Sequence, residues 1–159
     1  MTSITTPLPY VVEDSVGYLL GRVRAQLAKS IDDALAPQGI THAQGGILLM
    51  LMSGRFDTAS QLAREMYIDA AAMTRMVDRL EKRDLIRRLP SDDDRRVCNL
   101  QLTDPGRLLA GQLPAIYIAA RERNFAGLSI EEMGFLKSLL RRILANGETG
   151  ESLKPMLPS

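Results

Sequence analysis

The feature that most constrains the fold of this chain is residues 71–104, where the spacing of apolar residues changes from that of a helix to that of strands. Met73, Val77 and Leu80 recur at intervals of four and three, so they share one face of a helix. The opposite face carries small residues and then arginines, which excludes it from a core. We therefore predict an amphipathic helix over Ala71–Arg83.

Two short apolar-basic segments follow this helix, Leu85–Leu89 and Arg96–Leu102. Residues 90–95 between them contain proline, serine and three aspartates, which are typical of a turn. The two segments therefore predict a β-hairpin.

A second short helix precedes the first. Thr58 and Gln61 have the spacing of a capping box, in which each side chain satisfies a backbone N–H at a helix start. Asp69 is well placed to cap the Ala71–Arg83 helix after a break at residues 67–69. Two short helices joined by so tight a turn indicate a helix-turn-helix, and the hairpin behind them would be its wing. A helical hairpin without a binding role has the same helices but lacks the strands.

The remaining sequence predicts four further helices, which makes the fold mainly α with one small β-hairpin (α+β). These are a helix over about Tyr10–Ala36 ended by Pro37 and Gly39, a buried helix opened by the capping box Thr41–Gln44, a helix from Thr103 to about Phe125 bent at Pro114, and a helix opened by the capping box Ser129–Glu132 and ended by Gly147.

Composition excludes several classes of function. The chain has 159 residues, enough for one domain, and a formal net charge of +1, which favours no particular partner. A single Cys precludes a disulfide within the chain, and neither a signal peptide nor an apolar run of membrane-spanning length is visible, so we predict a cytoplasmic protein without membrane contact. With one His, one Cys and no nucleophile elbow, phosphate-binding loop or ligand cluster, the sequence predicts no catalysis, cofactor or metal.

Four motifs in the predicted helix-turn-helix and wing are similar to those of the MarR (multiple-antibiotic-resistance regulator) family. They are A-M-T-R-x-V-D-R-L-E, L-I-x-R, D-x-R and L-T-x-x-G-R, at residues 72–81, 85–88, 94–96 and 102–107. The chain departs from the family pattern at Asp84, where members usually have Gly, and at Pro105. Asp tolerates the left-handed backbone conformation better than most residues, so we expect the turn at Asp84 to survive.

The resemblance implies a winged helix-turn-helix homodimer that binds double-stranded DNA as a transcriptional regulator, most often a repressor. We expect Arg75 to contact base edges, because Arg pairs with guanine in the major groove. Arg95 or Arg96 of the wing would enter the minor groove, braced by Asp94 through a pair with a cation. The full set of predicted DNA-binding residues is Ser60, Gln61, Ala71, Ala72, Thr74, Arg75, Arg79, Asp94, Arg95 and Arg96. The competing interpretation of these charges is a solvated surface without a partner.

Members of the family often release DNA on binding a small aromatic carboxylate or phenol. A pocket of this kind would use polar groups between the dimer helices and the DNA-binding lobe, and the candidates are Tyr18, Arg22, His42 and Gln44. The alternative for His42 is that it is only a partly exposed residue at a helix start.

The predicted organisation is one domain over residues 1–159. Residues 57–103 form the DNA-binding lobe, and residues 10–56 and 104–146 form an interlocked helical dimerisation region, because the outer helices carry more apolar surface than a small winged helix requires. Two alternatives remain open: a winged-helix module that binds another protein, and a DNA-binding regulator that responds to no ligand.

Overall fold

The computed structural model describes residues 11–148 and consists of two compact units, one ending at Asn124 and one beginning at Phe125. The predicted class, mainly helical with a single two-stranded antiparallel hairpin, is confirmed. The helices are α1 (Val16–Leu35), α2 (His42–Met52), α3 (Ala59–Glu65), α4 (Ala70–Lys82), α5 (Asp104–Glu122) and α6 (Ile130–Glu148), and the strands are β1 (Ile86–Pro90) and β2 (Cys98–Leu102).

Side-chain caps fix where these helices begin. Each predicted capping box has both of its hydrogen bonds, one to the cap side chain and one back to the cap N–H. The pairs are Thr41 with Gln44, Thr58 with Gln61, and Ser129 with Glu132. Asp69 and Thr103 cap α4 and α5 as predicted, by accepting hydrogen bonds from the N–H groups of Ala72 and Gly106.

Two of the predicted helix ends are wrong. The first helix begins at Val16 rather than near Tyr10, which lies outside the described residues, because the Ser15 side chain accepts from the Tyr18 N–H and caps α1 there. Gly147 does not end the last helix, which continues to Glu148. Glycine lowers helix propensity but ends a helix only when its backbone turns left-handed, and the φ of Gly147 is not positive.

Smaller shifts occur elsewhere. The helix predicted to reach Phe125 ends at Glu122, and it contains Pro114 in its interior. The second strand begins at Cys98 rather than Arg96, because Arg95 and Arg96 belong to the turn of the hairpin.

A single buried cluster runs from the C-terminal half of α1 through α2, α3, α4, both strands and α5. Met73, Val77 and Leu80 are 1%, 0% and 0% exposed, as their spacing predicts. Helix α2 is predicted to be buried on all sides, but its last residue, Met52, is 44% exposed. Because this cluster continues across residues 57 and 104, it does not mark the predicted lobe boundaries, which stay a prediction.

Two local features fix the start of the hairpin, one next to α4 and one next to α5. Asp84 has a φ of 55°, as expected of a residue in the position usually held by glycine, and the N–H of Leu85 donates to the Leu80 carbonyl over 3.0 Å. A Cβ placed on Gly106 would lie 1.9 Å from the Leu85 carbonyl oxygen. The beginning of α5 can therefore approach the start of the hairpin only because residue 106 has no side chain.

Candidate nucleic-acid interface

The outward face of α4 presents cations that have no partner within residues 11–148. Arg75 and Arg79 are exposed, and neither side chain forms an ion pair or hydrogen bond with another described residue. The buried stripe one turn away fixes this orientation, because burial of Met73 and Val77 requires residues 75 and 79 to face solvent. The face is thus rigidly supported and free to bind an anionic surface.

The acidic residues of the same helix are engaged by an arginine from the wing. Arg88 on β1 donates from Nη2 to Asp78 over 2.6 Å and from Nη1 to Glu81 over 2.6 Å. Its backbone N–H also donates to Glu81 over 3.2 Å. The hydrogen bond with Asp78, with further contributions from Glu81, raises the pKa of Arg88 despite partial burial. This network ties β1 to α4 and compensates two negative charges close to Arg75.

The role of Arg88 is not evident from the sequence. The residue is the last of the L-I-x-R motif, and the spacing of Asp78 and Glu81 puts two carboxylates on one side of a helix. That they meet Arg88 depends on how the hairpin folds back on α4, which the spacing does not define.

The wing is an antiparallel pair in which Ile86 faces Leu102 and Pro90 faces Cys98. The tip after β1 is organised by Asp94, but the predicted pair with a cation is wrong. Asp94 Oδ1 accepts from the backbone N–H of Arg96 over 2.9 Å, and the ion pairs among the described residues do not include it. A carboxylate two residues before an N–H closes a local turn, and this satisfies Asp94 without a side-chain partner.

The arginines at the wing tip are free. Arg95 and Arg96 are both exposed, and within residues 11–148 neither side chain has a hydrogen-bond or ion-pair partner. Two cations at the end of a short hairpin are available to an anionic groove.

The wing also contacts the start of α3. The Leu100 N–H donates to the Asp57 carbonyl over 2.6 Å, and Thr58 forms an isolated bridge with Asn99. Ser60 is consequently held, exposed, in the first turn of α3.

Two predicted contact residues use part of their hydrogen-bonding capacity inside the chain. Gln61 Oε1 accepts from the N–H groups of Asp57 and Thr58 over 2.9 and 3.2 Å, so its oxygen is committed to the cap. Thr74 Oγ1 donates to the Ala70 carbonyl over 2.9 Å, which uses its only hydrogen. In this conformation Thr74 can accept a hydrogen bond but does not donate one to a ligand.

The small residues Ala71 and Ala72 occupy the first turn of α4, where Ala71 is exposed and Ala72 is half-buried. Because neither side chain extends beyond Cβ, a surface can approach the helix N-terminus closely. The structure thus brings the small residues, Arg75 and Arg79 onto one helix, next to the wing.

The four residues predicted to line an effector pocket do not converge within one chain. The His42 N–H donates to Asp32 over 2.5 Å, whereas Tyr18 lies 14 residues before Asp32 on α1, about 21 Å along the helix axis. The side-chain oxygen of Gln44, 7% exposed, accepts from the Thr41 N–H. The effector site stays a prediction, and Gln44 has a structural role.

Tyr117 closes the side of α2 next to His42. Its hydroxyl donates to the His42 carbonyl over 3.3 Å, and the two rings lie 6.0 Å apart. Burial, with the nearby charge of Asp32, raises the pKa of Tyr117 to about 12. This hydroxyl therefore keeps its proton at neutral pH and acts as a donor.

Other classes of site find no support in the part of the chain that the structure describes. Residues 11–148 contain no group of three His, Cys, Asp or Glu side chains placed to hold a metal ion. No helix in this range is long and apolar enough to cross a membrane.

Comparison with known proteins gives the same family throughout. The MarR family model matches residues 40–98, which include α2, α3, α4 and most of the wing. The transcriptional repressor MdtR of Bacillus subtilis is 30% identical over 140 residues, covering 88% of this chain and 88% of MdtR. The multiple antibiotic resistance protein MarR of Escherichia coli is 27% identical over 130 residues, covering 81% of this chain and 90% of that protein.

Among solved structures, a cysteine-to-serine mutant of E. coli MarR complexed with operator DNA superposes with a TM-score of 0.76 at 25% identity, covering 86% of this chain and 99% of that one. These relatives are transcriptional regulators rather than enzymes, as the lack of catalytic motifs predicts. The identity to MdtR over most of both chains, the family-model match and the shared winged helix-turn-helix together identify the chain as a member of the MarR family of transcriptional regulators.

Proposed function

We propose that this chain is a homodimeric repressor that binds a pseudo-palindromic operator in double-stranded DNA. The observation that carries the proposal is the outward face of α4, where Arg75 and Arg79 are unpaired while the neighbouring carboxylates are engaged by Arg88. A rigid helix with free arginines and small residues at its N-terminus fits the major groove. The relative solved with operator DNA shares this fold.

Each contact residue has a distinct part in this proposal. Arg75 reads a base edge, which contributes about 1–3 kcal/mol of discrimination, and Arg79 binds phosphate. Arg95 and Arg96 enter the minor groove, where negative potential is concentrated. The remaining members of the interface are Ser60 and Gln61 at a phosphate, Ala71 and Ala72 at thymine methyl groups, Thr74 as an acceptor, and Asp94 as the brace of the wing turn.

The dimer follows from apolar surface that the chain leaves open. On α1, Val16, Leu19 and Val23 are 65%, 47% and 50% exposed, and within its own unit α6 has no buried residue among those described. We propose that a second copy covers these faces; to bind two half-sites, the dimer must then hold its two α4 helices about 34 Å apart, one turn of DNA. In this arrangement residues 57–103 bind DNA, and residues 10–56 and 104–146 form the dimer.

A small aromatic acid or phenol is the proposed effector. Arg22 is exposed on α1 with no partner among the described residues, and a guanidinium suits a carboxylate. Tyr18 lies one turn before it on α1, whereas His42, the first residue of α2, donates its N–H to Asp32, ten residues further along α1 than Arg22. Ligand binding would shift the dimer toward a spacing of its α4 helices that no longer matches the half-sites, which requires higher affinity for that spacing.

The DNA contact is tested by gel shift with the DNA flanking the chain's own gene. The proposal predicts a shift with wild type, a loss of roughly tenfold or more in affinity for Arg75→Ala, and little change for Arg24→Ala, which removes the same charge from an exposed site on α1. Equal losses of affinity in both variants would mean that Arg75 contributes only its positive charge and makes no specific contact with a base. No shift at low salt from a confirmed dimer would favour the rival function, binding of an acidic protein partner.

The effector is tested by adding salicylate-like acids to the same complex. If the acid releases DNA from wild type and does so less effectively in Arg22→Ala, the result supports an effector site that includes Arg22. Release that is identical in Arg22→Ala contradicts its location, and no release by any acid or phenol favours a regulator that responds to no ligand.

A further inference from the structure

An exposed tyrosine occupies the turn between the two helices of the helix-turn-helix. Tyr67 has a φ of 53° and is 86% exposed. Its N–H donates to the Arg64 carbonyl over 3.3 Å, and the Ile68 N–H donates to the Ala63 carbonyl over 3.0 Å. These two hydrogen bonds define a Schellman motif at the end of α3, in which Tyr67 takes the position that glycine usually occupies.

Tyrosine at this position is not explained by folding. A left-handed backbone brings Cβ close to the following carbonyl oxygen, so any residue with a side chain is disfavoured there. In return the ring of Tyr67 forms no side-chain hydrogen bond or ring contact with the described residues and packs against no part of the core. A bulky residue in a disfavoured conformation, with no contact that compensates for it, points to a binding role.

The position of the turn identifies the partner. Tyr67 lies two residues before Asp69, the N-cap of α4, and follows α3, whose first turn carries Ser60. When α4 enters the major groove with its N-terminus forward, a residue just ahead of that N-terminus lies at the edge of the groove, beside the sugar-phosphate backbone. Because the first helix of a helix-turn-helix crosses the backbone while the second contacts base edges, we expect the turn between them to lie near phosphate.

We propose that Tyr67 is a DNA-positioning residue, whose hydroxyl donates a hydrogen bond to a phosphate oxygen at the edge of the major groove and fixes the register of α4. Tyrosine is among the side chains that contact phosphate in protein–DNA complexes, and such contacts orient a protein without reading sequence. The inference rests on the operator-binding function proposed above. It adds a contact that comes from neither the recognition helix nor the wing.

Two substitutions and one control test this contact by equilibrium binding to the operator and by thermal denaturation. Tyr67→Phe is expected to weaken binding about threefold to tenfold, the cost of one hydrogen bond. The loss should be equal on operators with single base changes, and the salt dependence should stay the same because no charge is removed. Tyr67→Gly is expected to weaken binding at least as much while raising Tm by roughly 2 °C, since it removes the backbone strain.

The matched control is Asp84→Gly, at the equivalent position of the Schellman motif at the other end of α4, where φ is 55°. This variant should gain Tm and keep wild-type affinity, which separates relief of strain from loss of contact. Unchanged affinity in Tyr67→Gly would overturn the proposal, as would a loss in Tyr67→Gly that Tyr67→Phe does not share, because the hydroxyl is then not the contact.

Arg75→Ala distinguishes failure of this inference from failure of the proposed function. If wild type binds the operator, Arg75→Ala does not, and both Tyr67 variants bind as wild type, only the role of Tyr67 is refuted. If wild type itself does not bind the operator, the proposed function fails.

Discussion

The helices α4 and α1 have the same sequence pattern but differ in what covers them. Along α4 the apolar stripe is buried: Met73 and Leu80 are 1% and 0% exposed. Along α1 the stripe is buried only towards the C-terminal end, where Leu35 is 0% exposed. Val16 and Val23, nearer the start of the helix, are 65% and 50% exposed.

This difference shows that periodicity indicates which side of a helix is apolar but not what packs on it. The elements that cover α4 are α3 and β1, its neighbours in the chain, so this part of the fold is complete in one copy. The first half of α1 lies beyond the buried cluster. Helix α4, which we propose reads DNA, is therefore fully packed within one chain, and we expect the exposed half of α1 to be covered by a second copy.

The largest expected effect comes from truncating one leucine on each stripe. Leu80→Ala should lower the free energy of unfolding by about 2–5 kcal/mol, because it leaves a cavity in a closed core, while Leu19→Ala should instead raise the dimer dissociation constant. Urea denaturation and analytical ultracentrifugation measure the two quantities. If Leu19→Ala leaves the dimer dissociation constant unchanged, the exposed stripe of α1 is not a dimer interface.

A smaller effect is expected where α5 meets the hairpin. Gly106→Ala should lower the free energy of unfolding by about 1–3 kcal/mol, because the new Cβ would lie 1.9 Å from the Leu85 carbonyl oxygen and the backbone must move. Gly111→Ala on the same helix has nothing within 4 Å and should stabilise the helix by roughly 0.5–1 kcal/mol. Thermal denaturation measures whether each substitution raises or lowers stability. Unchanged stability in Gly106→Ala would contradict the close approach of α5 to Leu85.

A small loss of stability is expected when the network that joins the wing to α4 is broken. Arg88→Met should cost only about 1 kcal/mol of folding free energy, because Asp78 and Glu81 are partly exposed. It should nevertheless weaken operator binding about tenfold, since two uncompensated carboxylates then face phosphate. Arg87→Met, which removes the same charge but breaks only a contact with Gln101, is the control and should weaken binding less.

A second substitution isolates the carboxylates. Adding Asp78→Asn to Arg88→Met should restore part of the lost affinity, measured by the same binding titration. If the double variant binds no better than Arg88→Met, repulsion by Asp78 is not the reason for the loss.

Local rules located much of the architecture from sequence alone. The caps at Thr41, Thr58 and Thr103 depend on side chains within three residues of the N–H groups they satisfy, so their spacing is sufficient. The family resemblance predicts the turn at Asp84, because members usually have Gly there and Asp tolerates the left-handed conformation that the structure shows. What the sequence did not define are contacts between elements.

One contact between elements, together with two local features, accounts for what the sequence did not show at the site. Arg88 meets Asp78 and Glu81 only because the hairpin folds back on α4, and no spacing rule describes that angle. Asp94 was expected to pair with a cation but satisfies the N–H of Arg96, a nearer donor. Tyr67 was visible in the sequence only as part of a break between helices, and its left-handed backbone and exposure required the structure.

We propose that one chain is sufficient to build α4 and the wing, whereas a second copy is needed to bind the operator. The most direct test is the native mass of the complex between wild type and operator DNA, compared with that of a Val16→Asp, Val23→Asp double variant. We predict two chains per duplex for wild type, and for the variant a folded monomer that binds at least tenfold more weakly. One wild-type chain per duplex would show that a second copy is not needed to bind the operator. A variant that binds as a dimer with full affinity would show that Val16 and Val23 do not lie in the dimer interface.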